Sequence, residues 1–227
     1  MVTCMTWRII LRGGVAATAG NIPSTVLTIG ARFRDEGMPE EIGILLPTNA
    51  GPKRLIDAVA DRSVPVDGAI LGLFLASPFL NVESEGPRLA RAGVRWVTNL
   101  PSVEQQDEEF SGQLSDVDLD HGRELQALAA FRAQGFRVAA VVAGATGAAD
   151  AVGIDPDALI VLPRIADFAA GFPSLRQRGA AIQAVAEATT TAGWPGPVLG
   201  LGNAGEAEHE RLWPDRLDGV ICRPVLI

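Results

Sequence analysis

The chain has 227 residues, 48% apolar and 20% charged, a balance that supports one domain with a sizeable core and excludes a disordered chain. A formal net charge of −8 excludes nucleic acid as a bulk electrostatic partner, and no apolar run reaches the roughly 18 residues that a membrane span needs. Cys4 and Cys222 are too few for a disulfide framework or a cysteine zinc site, and the opening MVTCMTWRIILRGG lacks the marks of a signal peptide, so a cytoplasmic location is expected.

In chain order, eight short apolar segments bounded by Gly or Pro have the pattern of buried strands: 7–11, 25–29, 68–75, 94–99, 136–142, 158–162, 197–201 and 219–222. Helix-period stretches at 83–93, 121–135 and 174–193 end on Gly93, Gly135 and Gly193, each a residue that favours the left-handed conformation past a helix end. Alternation of this kind predicts a single-domain, all-parallel (β/α)8 TIM barrel over 1–227, irregular at the first unit because 12–24 is too short for a full helix. A doubly wound open sheet is the competitor. RGGVAATAG lacks the G-x-G-x-x-G spacing such a sheet would use for a dinucleotide, and no acid closes the second strand. The abundance of Arg and Ala fits a high-GC bacterial genome. Lys53, the sole lysine, falls in the turn-like TNAGPKR, which argues against Schiff-base catalysis.

Barrel chemistry gathers at the carboxyl ends of strands. Those ends offer Arg12, Arg32, Arg34, Ser77, Asn99, Ser102, Arg164, Asn203, Cys222 and Arg223. Five arginines at one rim of an acidic protein would trap a small anionic metabolite, because guanidinium forks match carboxylate and phosphate; the plainer reading is that Arg is common here and sits on exposed loops. Asn99 either supports a developing oxyanion or bonds its own loop ahead of Pro101. As an oxyanion donor facing the cavity, its change to Asp would cost far more activity than stability. Glu124 and Asp107 are the acid–base candidates, against dipole compensation in a first helical turn and a solvated acidic run. His121 lies near a helix start and His209 on a solvated helix, while Cys222 reads as a nucleophile or as inert packing. Metal-ligand spacing is absent, so neither metal nor cofactor is expected. Trp194 and Trp213, in GWPGP and LWPD, mark either a subunit contact in a homo-oligomer or caps on the helical shell.

The stretch from 93 to 142, beginning GVRWVTNLPSVEQQDEEF, resembles the phosphoenolpyruvate hydrolase-like family, also called TIM-barrel signal-transduction proteins. Its G-x-x-x-V-x-N-[FL]-P-[ST]-V strand, nearby Asp and Phe, and Gly-x-Glu helix start fall on Asn99, Pro101, Ser102, Val103, Asp107, Phe110, Gly122 and Glu124. GARFRDEGMPEEIGILLP resembles the family's S-G-R-[FY]-R…G-L-L-P segment, and ASPF its T-D-P-F element. The resemblance implies a barrel enzyme that handles a 2-oxo acid, or its phospho or phosphono derivative, by enolate-type lyase, hydrolase or isomerase chemistry. Arg32 and Arg34 would clamp the anion, aided by Arg164 and Arg223, with Ser77, Ser102 and Asn203 completing the substrate contacts. The chain departs from the family at Ser77, where the family has an acid, and at Arg164 and Asn203, near which it has histidines. These losses equally suit an inactive barrel that senses an anionic ligand or serves as a protein-interaction scaffold.

Overall fold

A computed structural model describes residues 4–12, 22–29, 40–47, 51–222 and 225–226. The strands are β1 (Cys4–Leu11), β2 (Thr25–Ile29), β3 (Ala69–Gly72), β4 (Trp96–Thr98), β5 (Arg137–Val142), β6 (Ala158–Val161), β7 (Val198–Gly202), β8 (Gly219–Cys222) and the short β9 (Val225–Leu226). Neighbours from β2 to β8 pair in parallel in sequence order, and β1 bonds both β2 and β8, closing an eight-stranded barrel. β9 adds to β1 beside Met5 and Thr6.

The closure corrects the expectation of a regular, all-parallel (β/α)8 barrel. β1 runs antiparallel to β2, with Trp7 opposite Val26, and antiparallel to β8, with Leu11 opposite Gly219. A parallel crossover needs a dozen or more residues and usually a helix, whereas antiparallel strands join through a much shorter link. Arg12 N–H and Ser24 O already bond into the sheet, so 13–23 fall short of the former, and the barrel is mixed. One consequence bears on function. Arg12 follows the carboxyl end of β1, and its backbone N–H bonds Asp218 O ahead of β8. It therefore lies at the end of the barrel opposite the carboxyl ends of β2 to β8 and leaves the expected group of rim cations.

Side chains alternate across the wall as pleated strands require. Met5, Trp7, Ile9, Val26, Ile70, Trp96, Val141, Ile160, Leu199 and Ile221 fill the interior. Val97, Val138, Val142, Leu159, Val198 and Val220 face the helices. These are α1 (Glu40–Leu45), α2 (Gly51–Ala60), α3 (Val82–Arg91), α4 (Glu108–Ser115), α5 (His121–Ala133), α6 (Ala145–Val152), α7 (Leu175–Thr191) and α8 (Ala204–Glu208). Gly93, Gly135 and Gly193, with φ of 94°, 89° and 71°, follow α3, α5 and α7 in the left-handed conformation expected of them. Asn81 and Asp120 cap α3 and α5, and Ser174 and Gln177 form a capping box on α7. Lys53 lies on α2, exposed and paired with Asp57 at 3.0 Å, rather than in a turn.

Trp194 and Trp213 are buried, and their indole N–H groups bond Pro156 O and Glu206 O. No helix among the described residues is long and apolar enough to cross a membrane. Above the interior the chain leaving β4 folds back across the mouth. Leu100 is fully buried and its carbonyl accepts Thr28 Oγ1 at 2.9 Å. That approach needs Gly72, because a Cβ there would stand 2.9 Å from Leu100 O.

Candidate active site

The alternation along β4 places Trp96 and Thr98 inward and Val97 and Asn99 outward, so Asn99 faces α5 and not the barrel axis. Its amide continues the sheet where the backbone departs. Oδ1 accepts Val141 N–H at 2.7 Å and Nδ2 donates to Val141 O at 3.2 Å, as a peptide group would. Nδ2 also reaches Ser102 Oγ at 3.2 Å and Glu124 Oε2 at 3.1 Å. Asn99 has no exposed surface and every partner is protein.

Glu124, in the first turn of α5, is equally buried. Its Oε1 accepts Val103 N–H at 3.0 Å, its Oε2 accepts Ser102 Oγ–H at 2.6 Å, and His121 Nδ1 stands 3.2 Å from Oε2. Since the carboxylate is ringed by donors, the ring contact is a donation from Nδ1–H, which fixes the tautomer of neutral His121 and leaves Nε2 as the basic nitrogen. Nε2 has no protein partner.

His121 lines a cavity of about 330 Å³ with Val103, Glu104, Gln106, Glu108, Ser111, Asp120 and Arg164. This is within the usual size for small-molecule sites. It lies beside the carboxyl ends of β4, β5 and β6. Glu104 belongs to a 3-10 turn (Val103–Gln105) capped by Ser102, and its Oε2 accepts Ala143 N–H at 2.8 Å. It packs on α6 against Gly147, where a Cβ would meet the carboxylate and make it shift. Burial pushes the Glu104 carboxyl above its ordinary 4.5, with the Glu124 charge adding to it and His121, Ala143 N–H and Arg164 opposing.

For His121, burial pulls the pKa down, but the bond to Glu124 and the charges of Glu104, Glu124 and Asp150 outweigh it and hold the ring above 6.5. A raised folded-state pKa means that the folded protein binds more protons. The His121 contribution is thus full below pH 6.5 and is lost as pH rises through the folded value. Glu104 has the same sign, starting from 4.5. Urea unfolding followed from about pH 6 to about pH 9 should show falling stability, and His121→Asn should flatten that slope.

The other sequence candidates are scattered. Asp107 is exposed and caps α4, its Oδ1 accepting Phe110 N–H at 2.8 Å; the acids after it occupy the first turn of that helix. Arg164, exposed, shares the cavity. Ser77 is buried in a different hollow, with Lys53 and Phe79. Asn203 caps the short α8. His209 is exposed at the end of α8. Cys222 is buried, and burial pushes its thiol up against the opposing effect of Arg8, away from the thiolate a nucleophile needs. Arg32, Arg34 and Arg223 lie outside the described residues. The sequence reading missed Glu104 and Gln106, which a turn without periodic signal carries to the cavity. Among the described residues no group of three His, Cys, Asp or Glu is placed to hold a metal ion.

No protein-family model and no curated protein matches the chain. Among solved structures, the Klebsiella pneumoniae protein BlrP1, in a manganese and cyclic di-GMP complex at pH 9.0, is similar over 100% of this chain and 57% of its own, with 14% identity and a TM-score of 0.51. The same protein's complex at pH 6 gives 98%, 56%, 16% and 0.50. The nitroalkane oxidase of Streptomyces ansochromogenes is more distant, with 16% identity and a TM-score of 0.37 over 77% of this chain and 62% of its own. The chain thus spans just over half the length of BlrP1, and at this identity the likeness is one of fold.

Proposed function

We propose that the chain is an enzyme that moves a proton on a small anionic carbonyl compound, with His121 as the base and acid. The observation that carries this is the His121–Glu124 pair: a buried carboxylate orients one ring nitrogen and leaves the other, itself buried, without a protein partner on a residue that lines a cavity. General acid–base catalysis asks for such an oriented imidazole. Glu104, whose carboxyl burial pushes above its ordinary pKa, lines the same space as a second acid–base group. Arg164 offers the fork for a carboxylate or phosphate. An enolate-type step follows: His121 Nε2 takes the proton next to the carbonyl while Glu104 protonates or bonds the carbonyl oxygen. The resemblance over 93–142 to the phosphoenolpyruvate hydrolase-like family supports a 2-oxo acid or its phospho or phosphono derivative as substrate. Glu124, Asn99 and Ser102 act here as positioning residues.

The test is hydrogen exchange. Pyruvate, oxaloacetate, phosphoenolpyruvate and phosphonopyruvate are incubated with the protein in D2O, and deuterium next to the carbonyl is followed by NMR. Exchange in the wild type that is lost in folded His121→Asn is the expected result. Exchange that survives in His121→Asn removes the role of His121, and no exchange with any of the four favours the ligand-sensing or scaffold barrel.

A further inference from the structure

A second hollow, of about 320 Å³, adjoins the His121 cavity. Ala143, Pro163, Pro173, Ala180 and Ala181 give it an apolar lining, and its three polar side chains are already tied to protein partners. Asp167 Oδ2 accepts Arg164 N–H at 2.8 Å. Gln177 Oε1 accepts Ser174 N–H at 2.9 Å and the Ser174 hydroxyl at 2.7 Å. The Arg178 guanidinium is buried and divided among Pro173 O at 2.8 Å, Leu201 O at 2.6 Å and the Glu206 carboxylate at 2.6 Å. What the hollow still offers a ligand is the hydrocarbon of alanine and proline.

The two hollows share an edge. Ala143, in the second, donates its N–H to Oε2 of Glu104, in the first, at 2.8 Å. Pro163 and Arg164 are consecutive residues with one in each lining, and Asp167 bonds the Arg164 backbone from the apolar side. His121, Glu104 and Arg164 thus lie on one side of the edge and uncommitted apolar surface on the other. Both stand at the carboxyl ends of β5 and β6.

We infer that this second hollow is the subsite for an apolar tail of the substrate. The compound is a 2-oxo acid whose carbon chain continues past the reacting centre, with its anionic end at Arg164 and its chain laid over the Glu104–Ala143 edge onto Pro163, Pro173 and Ala180. Burial of hydrocarbon there is favourable, because no polar group has to give up water or a partner to receive it. Contacts of this remote part can also hold the head in place for the proton transfer. The inference rests on the acid–base reading of the neighbouring cavity and adds the length and polarity of the substrate.

The experiment is calorimetric titration of the protein with pyruvate, 2-oxobutanoate, 2-oxopentanoate and 2-oxohexanoate. Affinity in the wild type is expected to rise about fourfold for each methylene added, the usual return for one buried CH2. Ala180 is exposed on α7, so its replacement leaves the core intact. Ala180→Phe fills the hollow and Ala180→Asp sets a charge in it, and each should flatten the series. Phe79, 89% exposed, lines a different hollow with Ile56 and Leu80, and Phe79→Ala should leave the series as steep as in the wild type. A flat or falling wild-type series, no binding of any member, a series left steep by either Ala180 variant, or one flattened by Phe79→Ala overturns the inference. The readout is binding and does not depend on turnover. Exchange lost in folded His121→Asn alongside a flat series sinks the tail subsite and leaves the acid–base reading standing. A steep series that both Ala180 variants flatten, with exchange untouched by His121→Asn, does the reverse.

Discussion

Glu124→Ala is expected to lower stability by about 3–5 kcal/mol and to abolish proton transfer with it. The carboxylate accepts from Val103 N–H, Ser102 Oγ–H and Asn99 Nδ2 at 3.0, 2.6 and 3.1 Å inside a fully buried space. Each donor left without a partner costs about 1–3 kcal/mol, and the void adds its own term. Rearrangement of the Ser102 hydroxyl recovers part of the sum, which sets the range. The same substitution frees the His121 ring, so the contribution of a positioned acid–base group, typically 10²–10⁴-fold, should go as well. Glu124→Gln separates the two effects. Glutamine keeps the volume and one acceptor oxygen, but turns an NH2 either toward Val103 N–H or toward the place where Ser102, Asn99 and His121 share Oε2. Stability should fall by about 1–2 kcal/mol, while activity falls nearly as far as in Glu124→Ala. Urea unfolding and the deuterium exchange assay read the two quantities independently. An active Glu124→Gln enzyme would show that His121 does not depend on this carboxylate.

Much of this site could be read from the sequence, and the part that could not has a physical cause. Strand periodicity does not record direction: WRIIL buries the same residues whichever way it runs. Only the length of 12–24 hinted that β1 would reverse, and that reversal carries Arg12 to the far end of the barrel. Asn99, Ser102 and Glu124 were legible as residues of one place, because a strand end and a helix start meet there. The direction in which Asn99 points was not: period two puts it on the face opposite Trp96, but only the structure shows that Trp96 is the inward one. His121 stood out less than it should have. A histidine one residue beyond the cap Asp120 and three before Glu124 lies on the same helix face as that glutamate. Glu104 and Gln106 had no such signal. Their positions follow from the 3-10 turn that Ser102 caps, and a turn has no repeating hydrophobic pattern to announce it.

The outward direction of Asn99 changes what Asn99→Asp should do. An amide aimed at substrate would have made this near-isosteric change a kinetic lesion with little cost in stability. Here the side chain bridges β4 to β5 and lies 3.1 Å from a buried carboxylate. Aspartate keeps the acceptor for Val141 N–H but loses every donation from Nδ2, to Val141 O, Ser102 Oγ and Glu124 Oε2. It also sets two carboxyl groups face to face without water. Both cannot ionise there, so one is held protonated in the folded state with its pKa raised above the unfolded value. By linkage the variant's stability is best below about pH 4 and declines as pH rises through the raised value. Near neutral pH the loss should reach about 3–5 kcal/mol, the usual scale for an uncompensated buried charge. Unfolding in urea near pH 5 and near pH 8 should therefore show a destabilisation that grows with pH, in contrast to a uniform loss from missing hydrogen bonds alone. A folded Asn99→Asp protein within about 1 kcal/mol of wild type at both values, yet a hundredfold slower in exchange, would return Asn99 to the substrate.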